Sequence, residues 1–272
     1  MPTDLAAERS EEVLRTLGMW RVPVDPLAIA KEEGIELAPG MYGQRFDARI
    51  EYLPVIRRFV IYYQEPGPGR TDGRVRFSLA HELGHFYLPD HRKDLLRGRM
   101  HNSQSDFRSR NPREQEADEF AASLLMPEEL FATQVRMFRQ NVCTLKEICA
   151  LAETRFHTSV TSTARRYLQC DIEACAIVVS QDGKVRWAMY SEDMARLNMK
   201  YVPFGAPVPR MSKTAGLWAR MGASDDLSLV EGSVDADVWF EHPYYRKRLW
   251  EEAMPLGYTG FVLTYLTLED PF

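Results

Sequence analysis

The chain has 272 residues, of which 45% are hydrophobic and 27% charged, with Gly and Pro at 16 each, and that excludes disorder, collagen and low-complexity sequence. The length suits one large domain or two modest ones, and a formal net charge of -5 excludes a global positive field for nucleic acid or anionic lipid. No apolar run approaches the roughly 20 residues of a membrane span, and the first residues lack the apolar core of a secretion signal, so a cytoplasmic protein without a membrane partner is expected.

In chain order, Leu5 to Leu17 has the spacing of an amphipathic helix closed by Gly18, and Pro26 to Glu33 reads as a second closed by Gly34. From Ile50 to Tyr63 the residues turn β-branched and aromatic. Arg58 to Tyr63 is the clearest strand, and Glu65-Pro-Gly-Pro-Gly ends it. A helix follows from about Asp72, its expected cap, to Leu88, where Pro89 stops it. Asp90 to Arg113 is polar, rich in arginine and without apolar periodicity, and reads as a long loop with at most one short helical turn.

After Asn111-Pro112 a strong helix runs to about Met126. Pro127 opens another to Arg139, and two more fit Leu145 to Thr154 and Ser159 to Leu168. Beyond Cys170 the character changes: Ala174 to Ser180 and Lys184 to Tyr190 alternate about Gln181-Asp-Gly183, a hairpin signal. Asp237 to Phe240 and Gly260 to Leu266 are expected as further strands. The four cysteines, Cys143, Cys149, Cys170 and Cys175, have neither zinc-ribbon spacing nor the density of a disulfide framework, and are expected to be reduced and buried.

The chemistry lies in Phe77 to Leu88 (FSLAHELGHFYL), which contains H-E-x-x-H. On a helix His81 and His85 fall one turn apart on one face, where two imidazoles can hold one zinc ion, and Glu82 lies about 100° round, beside the metal without ligating it. Catalytic zinc takes three protein ligands and a water, so Glu82 is the expected general base and a third ligand is required.

Two candidates compete for that place. His91 has the spacing of the last histidine in H-E-x-x-H-x-x-G-x-x-H, but Leu88 stands where that pattern has Gly. The other is Glu114 on the helix EQEADEFAASLLM. It falls inside the apolar stripe of Ala117, Phe120, Ala121, Leu124 and Leu125, while Glu116 and Glu119 fall outside. An inward carboxylate needs a partner, and a metal would supply one. Asp118, one turn on, is placed to accept from the outer nitrogen of a ligating histidine.

With Arg76 to His85 and the block E-x-x-A-D-x-F-A-A-x-L-L-M-P from Glu114 to Pro127, the chain resembles the ImmA/IrrE-type zinc metallopeptidases, gluzincins whose third ligand is a glutamate. The likeness covers roughly residues 10 to 170. It implies one Zn2+ per chain on His81, His85 and Glu114, catalysis by Glu82, and, as partner, a helix-turn-helix transcriptional repressor cleaved in a stress or mobile-element response. With the change of character beyond Cys170, the expected fold is α+β, with a zincin-like metallopeptidase core over 1–127, a helical, helix-turn-helix-like subdomain over 128–169, and a smaller α+β domain over 170–272. Relatives with such an extension carry a GAF-like sensory domain there, so a sensory or substrate-holding role is expected. The strand Arg58 to Tyr63 is expected to offer its edge to an extended substrate.

Other readings rest on weaker signals. A non-proteolytic regulator would use the same frame to sequester a repressor or toxin. A direct DNA-binding regulator would use the basic helices between Arg136 and Arg166, although the acidic net charge argues against nucleic acid as a direct partner. The arginines from Arg92 to Arg113 suit a solvated loop or a lid. His101, Tyr87 and His91 are further candidates to donate to the transition state. In the C-terminal part Trp187, Trp239, Trp250, Tyr244, Tyr245 and Tyr258 are expected to be core.

Overall fold

The structure is a computed structural model; it describes residues 2–43, 46–67, 71–99, 111–138, 143–197, 202–221, 228–240, 247–256 and 260–269, and counts of elements refer to these. His101, Tyr244, Tyr245 and Tyr258 lie outside them. The chain divides into two compact units, Met1–Met137 with Ala150–Ser162, and Phe138–Cys149 with Thr163–Phe272. The architecture is mixed α and β, with a helical region in the middle of the chain and a sheet domain at the C-terminal end.

In the first unit, α1 (Pro2–Thr16) and α2 (Pro26–Glu32) precede a three-stranded sheet of β1 (Glu36–Gly40), β2 (Ala48–Leu53) and β3 (Arg58–Gln64). The strand order is β1-β3-β2, with β1 parallel and β2 antiparallel to β3. This corrects one expectation, because the strand from Arg58 is central and has no free edge, and the edges belong to β1 and β2. The next helix, α3 (Asp72–Tyr87), packs on β2 and β3 and also against α5 (Pro112–Leu125), which in turn packs on α1. Held on both sides, α3 is buried at nearly every position from Val75 to Tyr87.

Gly84 makes the α3–α5 contact close. A Cβ built there would lie 3.2 Å from the Ala117 Cα and 3.3 Å from the Phe120 Cβ. Phe120, Ala121, Leu124 and Leu125 are fully buried, each large side chain contributing about 1.5–3 kcal/mol by leaving water. Ala117 and Phe120, two members of the apolar stripe read from the sequence, thus lie at the contact with α3.

The segment after α3 departs from the expected loop. Leu88 is extended (φ -75, ψ 121), as the residue before a proline should be, and Pro89 then starts a new helix, α4 (Pro89–Leu96), at its first turn. Three of its residues, His91, Asp94 and Leu95, are buried. The remainder of the first unit comprises α6 (Glu128–Phe138), a π-helical stretch over Ala152–Phe156 and the start of a helix at Val160.

The second unit contains most of α7 (Leu145–Leu151) and α8 (Val160–Gln169), then a five-stranded antiparallel sheet with two short helices. Its strands are β4 (Cys175–Gln181), β5 (Lys184–Tyr190), β6 (Val230–Asp235), β7 (Arg248–Pro255) and β8 (Phe261–Leu268), in the order β5-β4-β8-β7-β6, and its helices are α9 (Glu192–Arg196) and α10 (Lys213–Met221). Asp237–Phe240 is not a strand. Ala236–Val238 is a 3-10 turn that delivers Trp239 and Phe240 into the core with Ala176, Val178, Leu249 and Leu266.

Adjacent acids on β7 point to opposite faces and meet helix starts. Glu251 accepts from the Lys213 and Thr214 N–H groups at 3.0 and 2.8 Å, and Glu252 accepts from Leu145 N–H at 3.1 Å. No disulfide joins the four cysteines; Cys143 and Cys175 are buried.

Candidate metal centre

The H-E-x-x-H helix puts His81 and His85 on one face, as its pitch requires, with the two Nε2 atoms 3.1 Å apart. The close α3–α5 contact at Gly84 then brings the first turn of α5 against them. Glu114 Oε2 lies 3.2 Å from His81 Nε2, and Glu114 Oε1 lies 3.7 Å from His85 Nε2. One ligand atom from each of these three residues falls within 4.8 Å of the others, and they are the only such group of metal-ligating side chains among the described residues. The Glu114 side chain is 12% exposed against 29% for Glu116, as the helical wheel of α5 requires.

The outer nitrogens are also engaged. Asp118 Oδ1 lies 2.8 Å from His81 Nδ1, one helical turn after Glu114. Burial alone would lower the His81 imidazole, but its hydrogen bonds to Asp118 and Glu114 outweigh that and raise it from its usual 6.5 to about 10.

Glu82 is completely buried, and its Oε2 accepts from the Ile50 N–H of the edge strand β2 at 2.8 Å. That hydrogen bond fixes the carboxylate on the β2 side of α3. Nothing in the sequence pattern signals it, because pairing between Ile50 and Glu82 depends on strand order.

His91 stands apart from the three grouped residues. Its Nδ1 lies 3.0 Å from His85 Nδ1, and its Nε2 lies 2.8 Å from Glu116 Oε2. Both ring nitrogens are therefore occupied on the side of His85 away from His81. Sequence reasoning missed Glu116, which falls outside the apolar stripe of α5 and has meaning only once α4 is a helix.

The other singled-out residues have structural neighbours. Tyr87 stacks on Phe120, and Arg92 lies over Phe86 with its guanidinium carbon 4.1 Å from the ring centroid. Arg99 and Arg113 lie 3.2 and 3.6 Å from Asp94 oxygens. Of the basic residues in the helical region, Arg166 is buried, and Arg136, Lys146 and Arg155 are exposed.

A carboxylate and two imidazoles suit Zn2+, whose catalytic sites use three nitrogen or oxygen ligands from the protein, and they disfavour the all-oxygen environment of Mg2+ or Ca2+. Among the described residues no helix is long and apolar enough to cross a membrane.

Residues 44–167 match the family model of the IrrE N-terminal-like domain, a peptidase family. No curated protein matches the chain. Among solved structures it is similar to a Mycobacterium tuberculosis transcriptional regulator, at 14% identity and a TM-score of 0.58, over 97% of this chain and 88% of that one. At that identity the likeness is one of fold.

Proposed function

We propose that this chain, which carries an IrrE N-terminal-like domain over residues 44–167, is a zinc-dependent endopeptidase whose substrate is a protein, a helix-turn-helix transcriptional repressor cleaved in a stress or mobile-element response. The observation that carries the reading is the convergence of His81, His85 and Glu114 ligand atoms within 4.8 Å, with Glu82 on the same helix. The match of residues 44–167 to the IrrE N-terminal-like peptidase family model supports it.

In this reading His81, His85 and Glu114 hold one Zn2+. When bound there, zinc supplies Lewis acidity toward a water and a peptide carbonyl. Glu82, oriented by the Ile50 N–H, takes the proton from the attacking water and returns it to the departing amide nitrogen. Asp118 holds the His81 ring with its Nε2 toward Glu114. An extended substrate adds to the edge strand β2, beside Glu82, and not to β3, whose two sides are taken.

The test is incubation of zinc-loaded protein with such a repressor, followed by mass spectrometry of the products. Defined fragments from wild type and intact repressor with Glu82→Gln are expected. Fragments formed equally by Glu82→Gln would refute the assignment of the base.

A second reading, a regulator that binds and sequesters a repressor or toxin without cutting it, draws support from the fold shared with a transcriptional regulator. The same incubation separates the two, since a sequestering protein forms a complex and leaves the partner whole. Direct DNA binding by α7 and α8 is less well supported, because Arg166 is buried and the net charge is -5.

A further inference from the structure

We propose that His91, oriented by Glu116, is a positioning residue that fixes the tautomer and ring angle of His85; the inference rests on the reading of His85 as a metal ligand. Along an unbroken helix His91 would stand roughly 240° round from His85, on another face. The break at Leu88–Pro89 and the restart of α4 bring it back, so that the two Nδ1 atoms lie 3.0 Å apart.

The proton arrangement follows from the partners. The Glu116 carboxylate only accepts, so the His91 Nε2 at 2.8 Å carries the hydrogen. In the metal-ligand reading His85 keeps its lone pair on Nε2, so its Nδ1 carries the one hydrogen between the rings and the His91 Nδ1 accepts it. His85 donates that hydrogen to His91, which leaves the lone pair on His85 Nε2, the nitrogen that faces His81 and Glu114. A ligating histidine usually reaches a carboxylate or carbonyl directly with its outer N–H. Here His81 follows that arrangement with Asp118, while His85 reaches Glu116 through an interposed imidazole.

His91 is fully buried, which gives the pair a dry environment and prevents water from substituting for the missing acceptor when the ring is removed. Three helices contribute: α3 the ligand, α4 the interposed ring and α5 the carboxylate. The short helix after Pro89 therefore has a definite task, which is to complete the support of the second ligand.

The experiment measures zinc affinity of the full chain by competition with a chromophoric chelator, for wild type, His91→Phe, His91→Asn and Glu116→Gln. The expected result is a loss of about 10–100-fold in His91→Phe. His91→Asn restores most of the affinity, because its amide oxygen can accept where Nδ1 did. Long-range proton–nitrogen NMR of wild-type zinc-loaded protein labelled at histidine nitrogen is expected to find hydrogen on His85 Nδ1 and on His91 Nε2, and this readout holds even if His91→Phe fails to fold. Wild-type affinity in His91→Phe, or hydrogen on His91 Nδ1, would overturn the relay and leave the metal reading intact. A wild-type chain with no zinc affinity would overturn both.

Discussion

Glu114 and Asp118, one turn apart on α5, reach opposite sides of the same ring: Glu114 lies 3.2 Å from His81 Nε2 and Asp118 lies 2.8 Å from His81 Nδ1. One helix thus contributes both a candidate ligand and a hydrogen-bond partner for another. The E-x-x-x-D spacing has a mechanical meaning, since a register shift of one residue would remove both contacts. Asp118→Asn is expected to weaken zinc binding by about 10–100-fold while leaving the metal-free fold intact, checked by chelator competition beside thermal melting. Unchanged affinity would show that His81 is oriented by something else.

Glu82→Gln separates binding from chemistry. The amide keeps an oxygen for the Ile50 N–H at 2.8 Å but cannot take a proton from water. Zinc content should remain at the wild-type level, and any cleavage of the proposed repressor substrate should fall by about 10²–10⁴-fold.

Gly84→Ala tests the close approach of α3 and α5. A helix-interior Ala gains up to about 1 kcal/mol over Gly, whereas crowding a packed interface costs about 1–3 kcal/mol. The new methyl carbon would meet Ala117 and Phe120 at 3.2–3.3 Å, and the backbone at Ala117 cannot rotate away. A net loss of stability is expected, together with weaker zinc binding, because displacement of α5 moves Glu114. Tighter binding in the variant would contradict this account of the contact.

How much of this was legible in the sequence depends on the range of the interaction that each residue obeys. The histidine pair, the stripe on α5 and the inward turn of Glu114 follow from helical period, and a single helix encodes them. The edge beside Glu82 does not, because β3 is central only through its parallel pairing with β1, a short strand containing Pro39 and Gly40. The helix α4 was hidden because its buried face consists of His91, Asp94 and Leu95, two of which look like surface residues. For the same reason β7 does not stand out in the sequence: Glu251 and Glu252 interrupt its apolar pattern, and only the distant N–H groups of Lys213, Thr214 and Leu145 explain their burial. In β6, Gly232 at φ 153 breaks the alternation.

Glu252 gives the second unit a pH dependence. Burial raises its carboxyl from 4.5 to about 7, against the lowering effect of the Leu145 N–H and of Lys146, with Glu231 and Glu147 adding to the rise. A carboxyl raised on folding is protonated more readily in the native state. Its stabilising contribution is therefore complete below pH 4.5 and lost as the pH rises through about 7. Glu252→Gln should match wild type near pH 5 and melt higher at pH 8, by about 2–4 °C if the difference is of order 1 kcal/mol. A wild-type protein that melts higher than the variant at pH 8 would reverse the sign assigned here.

The central claim is that His81, His85 and Glu114 hold one zinc ion. Metal content of the purified chain, measured by inductively coupled plasma mass spectrometry after a chelator-free preparation, tests it most directly when wild type is compared with Glu114→Ala. Near-stoichiometric zinc in wild type that is lost in Glu114→Ala is the predicted result; a metal-free wild type, or zinc fully retained without Glu114, would contradict it.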